Sequence, residues 1–268
     1  MPEQFLFTKE KGSLFNVKAW MKLLVKKSTL CYGNENRNRK RKEENIMLKD
    51  FTIANLLDLN ETIAKDLFEG KTYPWEVLPE IGDFIMKLGQ TLREEEYDHP
   101  SEDVWIAKSA KVAPTACING PVIIGKEAEV RHCAFIRGKA IVGEGAVVGN
   151  STELKNAVLF NKVQVPHYNY VGDAVLGYKS HMGAGSICSN VKSDKKLVVV
   201  KDGDEKIETG LKKFGAMLGD NVEVGCGSVL NPGTVIGRCC NIYPLSSVRG
   251  CVPANHIYKS RTEVVEKQ

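Results

Sequence analysis

One histidine stands in a local sequence that suggests acid–base chemistry. His167 lies beside Tyr168 and shortly before the pair Gly172-Asp173, where the surrounding sequence pattern changes. An imidazole takes up and releases a proton near neutral pH, so such a residue can act as a general base. A lone histidine is more often structural or simply exposed, and both interpretations stay open on these residues alone.

Eight cysteines are the other reactive side chains, and their spacing favours free thiols. No pair has C-x-x-C spacing, and a chain of 268 residues is too long for a disulfide-stapled scaffold. We expect Cys226 to pack rather than to act as a nucleophile. The sequence contains neither a secretory signal nor an apolar run of about 20 residues. These features predict a cytoplasmic protein without a membrane partner.

A repeat of six residues runs through the chain from Ile106 onward. An apolar residue recurs at every sixth position up to Phe160, and the register resumes at Leu176 and again at Leu218. Four positions after each apolar residue, the side chain is usually small or short. A triangular coil needs one large side chain inside each edge and a small residue near each corner. The period therefore predicts an all-β fold, a left-handed parallel β-helix.

Glycines and an insertion add detail to this β-helix. A glycine often follows the apolar residue, as at Gly149, and we expect it to let the backbone turn tightly at the corner. The repeat is absent after Cys188, where two strand-like runs flank Asp202-Gly203-Asp204 and predict a hairpin within residues 191–217. We expect the β-helix to span residues 104–258, with a tail over 259–268.

Two segments precede the repeat. Residues 1–46 carry eleven Lys/Arg and five Asp/Glu, whereas the rest of the chain carries 26 basic and 28 acidic residues. The basic segment predicts a disordered leader, with an arm for nucleic acid or a membrane surface as the alternative. The near-neutral remainder does not favour nucleic acid as a partner. Residues 47–103 predict two or three short helices that cap the β-helix, or alternatively a partner-binding helical hairpin.

Several strings within the repeat resemble a known family. They are Glu153-Leu154-Lys155, the run His167-Tyr168-Asn169-Tyr170-Val171-Gly172-Asp173-Ala174, and Gly183-Ala184-Gly185-Ser186 followed by Asn190. They resemble the acetyltransferase domain of the bifunctional N-acetylglucosamine-1-phosphate uridyltransferase/glucosamine-1-phosphate acetyltransferases. They are also similar to the C-terminal β-helix of archaeal sugar-1-phosphate nucleotidylyltransferases. The resemblance covers residues 104–262, and the string that begins at His167 is its most specific part.

The resemblance implies roles for residues on the acceptor side. His167 matches the catalytic base, and Arg137 and Lys155 match, in type and spacing, the residues that hold the sugar phosphate. Tyr170 matches a tyrosine that contacts the sugar, and Asn190 an asparagine that orients substrate or acetyl-CoA. A guanidinium fork and a mobile ammonium suit a doubly charged phosphate. Ordinary solvated charges remain the alternative for Arg137 and Lys155.

On the coenzyme side, the resemblance implies that Lys213 and Arg261 meet the phosphates of coenzyme A. The sequence departs from the family pattern at four positions. His181 replaces a substrate-contacting asparagine, Val191 a tyrosine, Cys226 a serine that faces acetyl-CoA, and Pro244 a small alanine. These departures put the identity of the sugar in doubt more than the class of reaction.

The function implied by the resemblance is acetyl-CoA-dependent N-acetylation of a hexosamine 1-phosphate or a related nucleotide-linked amino sugar, in sugar nucleotide biosynthesis. It also implies a homotrimer and no metal, because the thioester is already activated. No glycine-rich nucleotide loop precedes residue 104, so we expect the relatives' nucleotidyltransferase domain to be missing.

Two other classes of function are alternatives to this one. A catalytically silent β-helix that acts as a sensor or assembly module is the serious alternative, because of the four departures. A β-helical zinc carbonic anhydrase is disfavoured, because it needs two histidines five residues apart and no such pair exists.

Overall fold

The computed structural model describes residues 48–268, in which short strands and the turns between them form a stack of coils. The expectation for residues 1–46 lies outside the described residues.

Three faces run along the stack. The first face contains Val104–Ala107, Val122–Ile124, Ala140–Val142, the second halves of Glu153–Leu159 and Tyr170–Leu176, Ala216–Leu218, Thr234–Ile236 and Cys251–Val252. The second face contains Lys111–Val112, Glu129–Val130, Val147–Asn150, Gln164–His167, His181–Met182, Glu223–Val224, Asn241–Ile242 and His256–Ser260. The third face contains Cys117–Ile118, Phe135–Ile136, the first halves of Glu153–Leu159 and Tyr170–Leu176, Ile187–Cys188, Val229–Leu230 and Ser247–Val248.

Successive coils pair in parallel register, so that each strand residue lies beside its counterparts in the coil before and the coil after. Val122 pairs with Val104 on one side and with Ala140 on the other. Ala157 likewise pairs with Ala140 and with Ala174. The predicted left-handed parallel β-helix is confirmed.

The interior of the coils holds the large and small residues of the repeat. Ile124, Ile136 and Leu154 are completely buried, and Ala128 and Ala146 fill the places near the corners. Each large aliphatic side chain contributes about 1.5–3 kcal/mol when it is fully buried. Val112, in the first coil, stays 37% exposed, because no further coil of the described chain lies above it on the second face.

The glycines that follow the apolar residues allow adjacent coils to pack closely. They do not provide the turn at the corner. Gly143 and Gly149 do not have positive φ. The left-handed residues come two positions later, at Gly145 and at Ser151. A Cβ at Gly149 would lie 1.6 Å from the carbonyl oxygen of Pro166 in the next coil. The expectation that glycine provides the turn was therefore wrong: it is needed because the neighbouring backbone is too close for a side chain.

The helical segment lies along the first face instead of capping the end of the β-helix. Its helices are the 3-10 helices Lys49–Phe51, Leu59–Glu61, Lys65–Phe68 and Pro74–Val77 and the α-helices Ile53–Leu56 and Ile81–Gly89. The longest helix contacts three successive strands of the first face. Outward-pointing residues of this face, such as Ile123, Ile141 and Val158, are completely buried. Strands that are apolar on both sides need a second layer, and the helical segment supplies it.

Polar contacts attach this segment to the coils. The carboxylate of Asp220 accepts hydrogen bonds from the backbone N–H groups of Asp58 and Tyr178, each at 2.8 Å. The same carboxylate forms an ion pair with Arg238 at 3.1 Å. Burial raises the pKa of Asp220, and the positive charge of Arg238 opposes this shift. The buried carboxylate therefore links a loop of the helical segment to two coils.

The insertion covers the part of the first face that the helical segment leaves exposed. Ile187 pairs in register with Val229, although the whole insertion lies between them in the sequence, so an excursion separates two adjacent coils. Strands Val199–Asp202 and Glu205–Glu208 form an antiparallel hairpin. Strand Val199–Asp202 contacts strand Cys251–Val252 at the end of the first face.

Antiparallel strands close both ends of the described chain. Tyr97–Ser101 pairs with the first strand of the first face, and Glu263–Glu266 pairs with His256–Ser260. The tail expected over residues 259–268 thus includes a strand. None of the helices described in residues 48–268 combines the length and the apolar composition needed to cross a bilayer.

The close approach at Gly149 leads to a stability prediction. Gly149→Ala should lower the free energy of unfolding by about 3 kcal/mol or more, because backbone atoms cannot move aside as side chains do. Gly203→Ala is the control, since a Cβ there meets nothing within 4 Å and costs only the left-handed strain of about 1–2 kcal/mol. Urea unfolding measures both variants. Equal losses would contradict the packing explanation.

Candidate active site

Parallel pairing brings the predicted phosphate-binding residues onto the third face. Ile136 and Leu154 are paired neighbours, and so are Lys155 and Gly172. Arg137 and Lys155 therefore occupy the same position in adjacent coils, which lie about 4.8 Å apart. Tyr170 joins them on the next coil. The structure thus brings together three residues that are well separated in the sequence.

A buried carboxylate organises this cluster. Asp173 accepts hydrogen bonds from the Nζ atom of Lys155 at 3.2 and 3.3 Å. It also accepts hydrogen bonds from the side-chain amides of Asn156 at 2.9 Å and Asn190 at 2.5 Å. The side chain of Asp173 is 6% exposed, so its partners replace lost water. The sequence interpretation gave Asp173 no role, although it stands in the motif beside Gly172.

The phenol of Tyr170 stays protonated, so its hydroxyl can donate a hydrogen bond. The side-chain amide of Asn190 donates a hydrogen bond to the Tyr170 hydroxyl oxygen at 3.1 Å. Burial raises the pKa of Tyr170, and the negative charges of Asp173 and Glu153 raise it further, whereas Arg137 lowers it. The neutral phenol is a hydrogen-bond donor for an anion on this face.

Arg137 has a partner that the sequence interpretation missed. Its Nη1 atom donates to the Oε1 atom of Glu153 at 2.6 Å. This hydrogen bond, together with the negative charge of Glu153, raises the pKa of Arg137. Both side chains are partly exposed, so the pair is accessible to an anion that would compete with the carboxylate.

His167 lies at the corner between the second and third faces. It ends strand Gln164–His167 and is exposed, and the turn to Tyr170 follows. Asn169 fixes this turn: its side-chain oxygen accepts from the backbone N–H of His167 at 3.1 Å, and its amide donates to Gly183 at 2.9 Å. Within residues 48–268, the His167 imidazole has no hydrogen-bond partner.

His181 takes a different position from His167. It pairs in register with Gln164, in the middle of the second face. Its Nδ1 atom lies 2.8 Å from the Oε2 atom of Glu223. His181 therefore faces away from the cluster around Asp173. In the part of the chain that the structure describes, no three His, Cys, Asp or Glu side chains are arranged to hold a metal.

Two of the predicted coenzyme residues, Cys226 and Pro244, lie along the same corner as His167. The His167 carbonyl accepts from Gly185, the Ala184 carbonyl from Gly227, and the Cys226 carbonyl from Leu245. This ladder places Cys226 and Pro244 on later coils below His167. Pro244 and Arg261 line one cavity of ≈ 380 Å³, together with Arg249 and Lys259.

Lys213 lies elsewhere, away from Pro244 and Arg261. It lines a cavity at the corner between the third and first faces, with Lys139, Lys155 and Asp173. The expected grouping of Lys213 with Arg261 thus does not occur within one chain. The insertion returns to the coils beside Asp173, where the Gly215 N–H donates to the Asp173 carbonyl at 2.8 Å.

The electrostatics of the cluster predict a shift in the titration of Tyr170. Asp173→Asn should lower the pKa of Tyr170, because it removes a negative charge that disfavours the phenolate. Ultraviolet titration of each protein against its Tyr170→Phe counterpart isolates this phenol. In the unmodified protein it should ionise above the ordinary value of about 10. Glu129→Gln, on the second face, is the control, and equal behaviour of Asp173→Asn and this control would contradict the prediction.

A protein-family model matches the central coils. The family is described as GMPPB C-terminal domain, and the match spans residues 118–225. This range includes Arg137, His167, Asn190 and Lys213.

Curated relatives match over a similar region. The bifunctional protein GlmU of Methanococcus aeolicus is 39% identical over 90 residues, which is 34% of this chain and 22% of that protein. The bifunctional sugar-1-phosphate nucleotidylyltransferase/acetyltransferase of Sulfurisphaera tokodaii is 34% identical over 112 residues, 42% of this chain and 28% of that protein. The chain therefore spans about a quarter of the length of these relatives.

A solved structure also aligns with part of the chain. The UDP-N-acetylglucosamine acyltransferase of Francisella novicida aligns with a TM-score of 0.40 and 14% identity, over 60% of this chain and 64% of that chain.

The resemblance predicted from the sequence is confirmed by the relatives: the β-helix of this chain is similar to part of the bifunctional sugar-1-phosphate nucleotidylyltransferase/acetyltransferases.

Proposed function

We propose that this protein is an acyltransferase that moves the acetyl group of acetyl-CoA to the amine of an amino-sugar phosphate or a nucleotide-linked amino sugar. The observation that carries the proposal is the convergence of Lys155, Tyr170 and Asn190 around Asp173, with Arg137 beside Lys155 in the adjacent coil and an exposed His167 at the other end of the same face. His167 and Tyr170 are three residues apart, a span of at most about 10 Å, so one small acceptor can reach both the base and the Tyr170 hydroxyl.

In this mechanism, Arg137, Lys155 and the Tyr170 hydroxyl hold the phosphate, and Asn190 fixes Tyr170. The amine nitrogen forms a bond to the thioester carbonyl carbon while the His167 imidazole takes the proton that the nitrogen loses. The carbon–sulfur bond then breaks, and the leaving thiolate takes that proton from the imidazolium. No metal enters these steps, because backbone amides can stabilise the developing oxyanion.

The coenzyme in this proposal lies along the corner below His167. Cys226 and Pro244 flank its path, and Arg261 with Arg249 and Lys259 provides positive charge for its phosphates. Lys213 is assigned to the acceptor side, because it shares a cavity with Lys155.

A catalytically silent β-helix is the second candidate. The observation that favours it is the hydrogen-bond contact between His181 and Glu223, at the position where the resemblance expects a substrate-contacting asparagine. In this candidate function the cluster around Asp173 binds a sugar phosphate without turning it over.

Activity and the role of His167 are tested together. Thiol release from acetyl-CoA is measured with a panel of amino-sugar phosphates and nucleotide-linked amino sugars. His167→Ala should lower kcat by about 10²- to 10⁴-fold, as loss of a general base does. His181→Ala is made in parallel, and Lys111→Ala, on the exposed second face, is the control. Full activity of His167→Ala would refute its role as the base, and no turnover with any acceptor would favour the silent candidate.

We also propose a homotrimer, on the basis of exposed apolar side chains. Tyr168 is 66% and Leu245 is 85% exposed at the corner that carries His167, and Phe135 and Ile187 are partly exposed on the third face. Exposed apolar groups of this kind mark contact surfaces, and closed cyclic symmetry suits a rod with flat faces.

Light scattering tests the assembly. The mass should be three times that of the 29.6 kDa chain. Leu245→Asp should shift the mass toward the monomer, because it places a charge in an apolar contact. Leu197→Asp, on an exposed residue of the insertion, is the control. A monomeric mass for the unmodified protein at micromolar concentration would exclude the trimer.

A further inference from the structure

The cavity at the corner between the third and first faces is larger than a single phosphate requires. Its volume is ≈ 310 Å³, at the lower end of the range of about 300–1,000 Å³ that is typical of small-molecule sites. Lys139, Lys155 and Lys213 line it together with Asn156 and the carboxylate of Asp173, and Leu78, Pro79 and Leu211 supply an apolar wall. The cavity therefore combines positive charge with a surface for an uncharged group.

Two of these lysines are free to neutralise a further negative charge. Arg137 is paired with Glu153, and Lys155 is paired with Asp173. Within the described part of the chain, no carboxylate lies within 4.0 Å of the ammonium groups of Lys139 or Lys213. These two positive charges face the same cavity and repel each other unless an anion lies between them. They are additional to the groups that hold the first phosphate.

Parts of the chain outside the repeat form this cavity. Leu78 and Pro79 belong to the helical segment, whereas Leu211 and Lys213 belong to the insertion. The aliphatic stem of Lys139 lies against Gly82, where a Cβ would be 3.1 Å from the Lys139 Cε atom. The side-chain amide of Asn156 donates to the Leu78 carbonyl at 3.1 Å as well as to Asp173. The second layer on the first face thus completes the cavity beside the phosphate site.

We propose that the acceptor site binds a diphosphate, so that the amino sugar is linked to a nucleoside diphosphate. This inference rests on the proposed function, and it narrows the acceptor to one class. One phosphate lies between Arg137 and Lys155, and the second lies between Lys139 and Lys213 around the corner. The group attached to the second phosphate, a nucleoside, contacts the apolar wall.

Coenzyme A also carries a diphosphate, but the proposed function places the coenzyme along a different corner. Pro244 and Arg261 line a separate cavity in the last coils, which extends from the His167 corner across the third face to Arg249. Between the left-handed corner residues Tyr168 and Asp173 the chain advances five residues along this face, about 16 Å of strand. The cavity that holds Lys139 and Lys213 lies at the Asp173 end of this stretch, away from the corner that carries His167.

Binding without turnover tests the diphosphate site directly. Inorganic pyrophosphate and inorganic phosphate are titrated into the full chain by calorimetry. Pyrophosphate should bind at least about tenfold more tightly, because it reaches two further cations. Lys139→Gln and Lys213→Gln should each weaken pyrophosphate binding by about fivefold and change phosphate binding by less than about twofold. Lys111→Gln is the control. Equal affinity for the two probes, or unchanged pyrophosphate binding in either cavity variant, overturns the proposal.

Competition and kinetics then identify the source of the diphosphate. Saturating coenzyme A should leave pyrophosphate binding unchanged, and displacement would assign the cavity to the coenzyme and overturn the proposal. UDP-glucosamine should be acetylated with a kcat/KM at least about tenfold above that of glucosamine 1-phosphate, with Lys139→Gln removing most of this preference through KM. A higher value for glucosamine 1-phosphate overturns the assignment. If neither acceptor is acetylated, the proposed function fails, while the calorimetry still decides whether a diphosphate site exists.

Discussion

Parallel hydrogen bonding between successive coils fixes the positions of the functional side chains. Because adjacent coils lie about 4.8 Å apart, residues that are one full coil apart in the sequence become neighbours. This pairing brings Arg137 beside Lys155 and sets Tyr170 on the next coil. It depends on backbone contacts that tolerate no side chain at Gly149. The site is therefore held by the scaffold and not by a mobile loop.

The second layer on the first face determines which surfaces remain for function. The helical segment and the insertion bury outward-pointing residues such as Ile141 and Val175. Within residues 48–268, the second and third faces and their corners are the parts of the β-helix that present side chains to solvent. The same layer contributes Leu78 and Lys213 to the corner beside Asp173. Covering apolar surface and shaping the cavity are thus two results of one packing arrangement.

Charge pairing prepares the cluster for an anion. A buried carboxylate is costly without partners, and Asp173 has Lys155, Asn156 and Asn190. The carboxylate in turn orients Lys155 and, through Asn190, the hydroxyl of Tyr170. The phosphate that we propose for this cluster would meet groups that are already placed, so little side-chain freedom would be lost on binding.

The sequence by itself determined the β-helix, because a period of six residues matches one edge of a triangular coil. Its motif also identified Arg137, Lys155, Tyr170 and Asn190, which the coil register brings together. Tertiary structure alone decided that Asp173 joins these groups, that Lys213 is separated from Arg261, and that the helical segment runs along a face. The reason is physical: the repeat specifies contacts between neighbouring coils, whereas the positions of a second layer and of a long insertion depend on packing between distant segments.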